Sequence, residues 1–199
     1  MKRIIITIAV LLMIISCSST VAVNRLNGTE AIDLSGNWNA TDIDIVCTSL
    51  IKQCLASPWE LQYKLNNGVN LPTIIVGTII NNSSEHIDTA IIAKKIEVAL
   101  VNSGSAQMAA DYNQRTEVRA EKEDQQYNAS IETAAQLASE VGSDYMLQGS
   151  VRTNYDYLNG KAVRTYYVSL ELVDLTTGLK VWIGEEQIQK FIKQAKYRF

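Results

Sequence analysis

One histidine occurs in the 199 residues, His86, and it lies in "TIIVGTIINNSSEHIDTAII" with Glu85 beside it and Asp88 two residues on. A histidine near carboxylates is the material of general acid and base chemistry, or of a metal site. Acid-base work would require His86 to hydrogen-bond an orienting carboxylate and a nucleophile. Glu85, being adjacent, is not favoured to meet it side chain to side chain, and Asp88 stands where a helix cap is expected, its oxygens directed at backbone N–H groups. "NNSSEHID" therefore reads as a turn and cap between a strand and a helix rather than a catalytic centre.

Other chemical templates are weaker. There is neither a G-x-S-x-G nucleophile elbow in "GSDYMLQGS" nor a G-x-x-x-x-G-K-[ST] phosphate loop. Glu121, Glu123 and Asp124 fall on a charge-dense helix and read as a solvated face. Cys47 and Cys54 are seven residues apart in a helical segment, about 10.5 Å between Cα atoms, beyond the reach of a disulfide. They are expected to be small buried apolar residues. With a single histidine, a Cys/His zinc site has little support. No cofactor or metal is expected.

Cys17 is different. The chain begins "MKRIIITIAVLLMIISCSST": two basic residues, an apolar run from Ile4 to Ile15, then Ser16 and Cys17. The run is too short for a membrane span, which needs about 20 residues, and has the order of a secretory signal. "IISC" resembles the bacterial lipobox, in which the cysteine is acylated and becomes the first residue; an ordinary cleaved signal is the alternative. Residues 1–16 are read as lipoprotein signal peptide, 17–33 as a lipidated flexible tether, and 34–199 as one globular domain. Two or three acyl chains hold a protein at a membrane stably. Ser18 after the cysteine favours the outer membrane, periplasmic face, with the inner membrane as alternative.

Cleavage removes Lys2 and Arg3, leaving 16 basic and 21 acidic residues, a formal charge of −5. Nothing basic enough for nucleic acid survives.

The elements follow from periodicity. Asp42 to Ala56 reads as a helix with Val46, Leu50 and Cys54 on one stripe and Cys47, Ile51 and Leu55 on the next, capped by Thr41 or Asp42 and ended by Pro58 and "NNGVNLP". Thr73 to Ile80 is β-branched, a central strand. Asp88 or Thr89 opens a helix to Asn102 with Ile92, Ile96, Ala99 and Leu100 inward, stopped by Gly104. "SAQMAA" is a short strand, residues 111 to 127 are a solvated helix, and Ser130 to Val141 is another. A strand from Asp144 to Tyr155, an Asn159-Gly160 turn, a return strand from Ala162 to Leu175 with Tyr166, Val168, Leu170 and Leu172 on one face, and "LKVWIGEE" make an antiparallel meander. The fold class is α/β, with a small, largely antiparallel sheet flanked by helices. Trp182 reads as core, with an interface anchor as the alternative. Tyr155, Tyr157, Tyr166 and Tyr167 crowd the hairpin, a pattern that fits a protein interface and cross-strand packing equally.

Together "LSGNWNATD", "IIVGTIINNSSEHIDT", "VNSG", "DQQYNAS", "GSDYMLQGSV" and "LELVDLTTGLKVWIGEE" resemble the LpoB family of lipoprotein activators of bifunctional penicillin-binding proteins, over most of Leu34 to Lys190. The resemblance implies a fold similar to the TolB N-terminal domain, no active site, and docking on a peptidoglycan synthase as protein partner. It makes "NNSSEHID" a structural and recognition loop, with Asn81, Asn82 and His86 joining Tyr155 and Tyr157 as candidate partner contacts. A binding or assembly lipoprotein serving another cell-envelope complex is the alternative. Enterobacterial members carry a long, proline-containing tether; here no proline precedes Pro58.

Overall fold

A computed structural model describes residues 35–128 and 142–193. The signal peptide, the tether with Cys17, Leu34 and the helix expected over Ser130 to Val141 lie outside the described residues.

Among the described residues four helices and five strands follow in order: α1 (Ala40–Ala56), α2 (Trp59–Asn67), β1 (Thr73–Asn82), α3 (Thr89–Ser103), β2 (Gln107–Met108), α4 (Tyr112–Asn128), β3 (Tyr145–Leu158), β4 (Lys161–Asp174) and β5 (Lys180–Lys193). The strands form one sheet in the order β2-β1-β3-β4-β5. β1 pairs in parallel with β2 and β3, whereas β3–β4 and β4–β5 are antiparallel ladders running almost the full length of their strands. The sheet is thus mixed at one side and a meander at the other. Asn159 and Gly160, both at positive φ, make the β3–β4 turn as an Asn-Gly pair should.

α1 and α3 lie on one face. α1 packs on β5 and against α3, which covers β1. The core beneath them holds Val46, Cys47, Leu50 and Cys54 from α1, Ile92, Ile96 and Leu100 from α3, and Leu147, Val151, Tyr166, Val168, Leu170, Leu172 and Trp182 from the sheet. Ala99 is only half-buried and Leu55 is exposed, at the margin of the expected stripes. β1 changes register between Val76 and Ile79, so that Ile74 and Ile79, five apart, are both buried despite the strand period of two.

Two local expectations change. The cap of α1 is Asn39, which accepts the Asp42 N–H, while the Asp42 carboxylate accepts the Asn39 N–H to close a capping box. After Pro58 the chain does not go directly into a loop but forms α2. Trp59 at its start is buried, donates its indole N–H to the Cys54 carbonyl at 2.9 Å, and meets the Tyr145 ring edge-on at 6.1 Å. A short helix anchored by one large ring leaves little periodicity to read. α4 buries no residue, as its charge density implied.

Candidate docking surface

β3 is the longer partner of β1: the last parallel pair is Asn82 with Arg152, after which β3 continues to Leu158 paired only with β4. The meander therefore projects past the end of β1. The loop Ser83–Asp88 folds over the start of this projection, its Ser84 N–H donating to Thr153 Oγ1 at 3.3 Å.

The loop is tied from within and from outside. The Asn81 side chain donates to the Glu85 carbonyl (2.8 Å) and the Ile87 carbonyl (3.4 Å), and its oxygen accepts from the Ser83 N–H and hydroxyl. Asp88 caps α3 by accepting the Ala90 N–H at 3.0 Å, and the Thr89 hydroxyl donates to the Ile79 carbonyl. Ile87 is buried. Glu85 is the outward tie: one carboxylate oxygen accepts the Trp38 N–H at 2.9 Å, the other takes the Tyr166 hydroxyl at 2.7 Å and the Arg164 guanidinium. Arg164 and Tyr166 also donate to the Gly36 carbonyl, so the segment leading into α1 is fastened to the same cluster. Lys190 completes the tie, donating to the Asn37 carbonyl and pairing at 2.7 Å with buried Asp42. Burial and, after it, the Glu85 contact push the Tyr166 phenol well above its ordinary range.

His86 takes no part in this network and is exposed. Asn82 is exposed too, and its register with Arg152 sets it on the sheet face opposite Asn81. The structure thus assembles Asn81 and Glu85 into a scaffold but does not gather Asn81, Asn82 and His86 into one constellation.

Beyond the loop the hairpin is bare. Tyr155 and Tyr157 follow Val151 and Thr153 on the helix side of β3, and they are 48% and 51% exposed. The Arg164 guanidinium lies over the Tyr155 ring, 5.1 Å from its centroid, a cation–π contact. Tyr166, by contrast, is fully buried, with Trp38 tilted against it at 5.1 Å. Trp182 belongs to the core.

Sequence reading missed the Glu85–Arg164–Tyr166 cluster, although a signal was present. Alternation along β4 puts Arg164 on the same face as Ala162, Tyr166 and Val168, and a guanidinium facing the core requires an acid partner.

A groove of about 590 Å³ between α1 and α3 contains Cys47, but burial raises that thiol from 9.0 to about 11, and Cys54 is raised to about 12. Neither thiol is an available thiolate at neutral pH. Both cysteines are free and buried. Among the described residues no group of three or more His, Cys, Asp or Glu side chains could hold a metal ion, and no helix is long and apolar enough to cross a membrane.

Comparison with known proteins gives a family. The profile of the family described as "Peptidoglycan-synthase activator LpoB" matches residues 42–188. Among solved structures, the chain is similar to the LpoB C-terminal domain from Salmonella enterica, at 18% identity over 75% of this chain and 99% of that one, TM-score 0.44. The LpoB C-terminal domain from Escherichia coli is similar at 17% identity over the same shares, TM-score 0.45. Lipoprotein GNA1162 from Neisseria meningitidis is similar at 18% identity over 60% of this chain and 83% of that one, TM-score 0.39. No curated protein sequence matches significantly.

Proposed function

The chain belongs to the peptidoglycan-synthase activator LpoB family, matched over residues 42–188, and from that premise we propose that it is a non-catalytic periplasmic lipoprotein that binds and stimulates a bifunctional penicillin-binding protein. The supporting observation is the projecting hairpin, where Tyr155 and Tyr157 stand half exposed on a rigid ladder beyond the helices. Tyrosines offer wide contact area with few rotors to freeze and often dominate binding energy. A preorganised strand pair loses little entropy on docking.

Lipidation at Cys17 and the short tether decide where docking happens. Residues 17–33 reach roughly 60 Å when fully stretched and average about 20 to 25 Å as a flexible chain. An outer-membrane anchor then keeps the hairpin close to that membrane, and the synthase has to extend toward it; an inner-membrane anchor puts the two side by side. Cys17→Ala should abolish incorporation of labelled fatty acid, and undiminished labelling would refute the anchor.

The function itself is tested by the rate of glycan polymerisation by the cognate synthase with and without the mature chain. The reading expects co-purification of the two proteins and a several-fold faster rate. Absence of both binding and stimulation would overturn it.

A further inference from the structure

The first described residues lie against the hairpin end of the sheet. The Gly36 carbonyl accepts from Arg164 and Tyr166, and the Asn37 carbonyl accepts from Lys190. A Cβ added at Gly36 would run into the Ile192 side chain, so the backbone lies directly on β5 there. Ile192 pairs with Ala162 and Ala162 with Tyr157, one row short of the last row of the meander, Leu158, Lys161 and Lys193. Whatever precedes Ser35 therefore joins the domain at the hairpin. α2, whose Tyr63 hydroxyl donates to Asp144 just before β3, marks the other end, about 45 Å away along the strands.

The last row opposes like charges. Lys161 and Lys193 are direct cross-strand partners, and among the described residues neither forms an ion pair; the Lys193 ammonium rests 5.6 Å from the Phe191 ring centroid. Like charges directly opposite destabilise a sheet, and an anion spanning the two ammonium groups would relieve the repulsion. Lys190 turns to the helix face to meet Asp42, so strand alternation puts Phe191 and Lys193, with Lys161 and Leu158 in register, on the opposite face from Tyr155 and Tyr157. Leu158 and Phe191 are 71% and 59% exposed. Charge along the sequence is skewed the same way: in a chain with 21 acidic residues, Lys190, Lys193, Lys196 and Arg198 follow Glu186 and no acidic residue does.

We propose that this row seats on the anionic headgroups of the bilayer that holds the Cys17 anchor, Lys161 and Lys193 bridging lipid phosphates and Leu158 and Phe191 entering the interface. The inference rests on the lipidation reading for its location. A tether averaging about 20 to 25 Å that joins the domain at the hairpin holds this end, and not the α2 end, nearest that surface. Basic side chains at an anionic surface and apolar ones in the headgroup region add their attractions. Tyr155 and Tyr157, on the other face, stay available to the synthase.

The test installs the anchor chemically, so that failure of natural acylation and failure of the seat are read separately. The unacylated mature chain is coupled through its Cys17 thiol to a maleimide lipid, with Cys47 and Cys54 buried and out of reach. Vesicles of phosphatidylethanolamine with phosphatidylglycerol, or of phosphatidylcholine alone, carry a photoactivatable phospholipid, and labelled peptides are mapped by mass spectrometry. On the anionic vesicles residues 155–163 and 187–193 should take at least tenfold more label than residues 59–67 of α2. The excess should vanish on phosphatidylcholine and with Lys161→Gln plus Lys193→Gln, a change that removes the repulsion and should not lower the unfolding midpoint. Equal labelling of hairpin and α2, an excess that persists on phosphatidylcholine, or a double variant labelled like the parent would each overturn the proposal. A double variant that keeps its lipid labelling and loses stimulation of the synthase would do so too, by assigning the lysines to a protein partner.

Discussion

Two polar segments sit at the same end of the molecule and have opposite fates. The loop Ser83–Asp88 carries the histidine and most of the residues that suggest chemistry, yet its polar groups point inward to Thr153, Arg164, Tyr166 and the Trp38 N–H. The hairpin beside it carries two tyrosines that sequence alone reads equally as packing, and they are half open to solvent. Polar density marks where a chain must satisfy its own backbone as often as where it meets a partner. Where the hydrogen bonds terminate separates the two cases.

The largest effect is expected at the tie itself. Glu85→Ala leaves the Trp38 N–H without its acceptor, and the Arg164 guanidinium without its counter-charge and, like the Tyr166 hydroxyl, with neutral acceptors such as the Gly36 carbonyl, in a site where both Glu85 and Arg164 are less than a fifth exposed. The loss should be about 2 to 3 kcal/mol, read by urea unfolding. A change under about 0.5 kcal/mol would mean that the loop is not fastened as described.

Alkali should weaken the core beneath. The folded chain keeps protons on Cys47 up to about 11 and Cys54 up to about 12, whereas the unfolded chain releases them from about 9. Above that point the native state binds more protons, so stability is fully present below pH 9 and declines from there to about 12. Denaturant midpoints at pH 8 and pH 10.5 check this, and Cys47→Ala with Cys54→Ala should flatten the difference. A midpoint that rises with alkali contradicts the burial of the thiols.

Smaller still is the cost of Tyr155→Ala with Tyr157→Ala, at most about 1 kcal/mol, since half-exposed rings contribute little to the monomer. His86→Ala should fall within about 0.5 kcal/mol because the side chain is exposed and outside the loop network.

Much of this was legible from residue order. The β-branched run from Thr73, the Asp88 cap, the Gly104 stop and the Asn159-Gly160 turn each follow from local chemistry, and each is in place. α2 was not legible, because its stability comes from Trp59 and Tyr63 against Tyr145, contacts more than eighty residues apart in the chain. The bulge in β1 hid behind a continuous apolar run in which no alternation could reveal it. The Glu85 cluster joins three distant segments, and only Arg164 on the inward face of β4 hinted at it. Exposure of the hairpin depended on how far β3 outruns β1, a property of register rather than composition.

The division between fastened loop and presenting hairpin is tested most directly by glycan polymerisation with the cognate synthase, comparing the parent chain, Tyr155→Ala with Tyr157→Ala, and His86→Ala. The tyrosine variant should lose at least tenfold in the concentration needed for half-maximal stimulation while remaining folded, as expected for removal of central tyrosines from an interface, and the histidine variant should match the parent. Stimulation that survives loss of both tyrosines but fails with His86→Ala would place the contact on the loop and contradict the account.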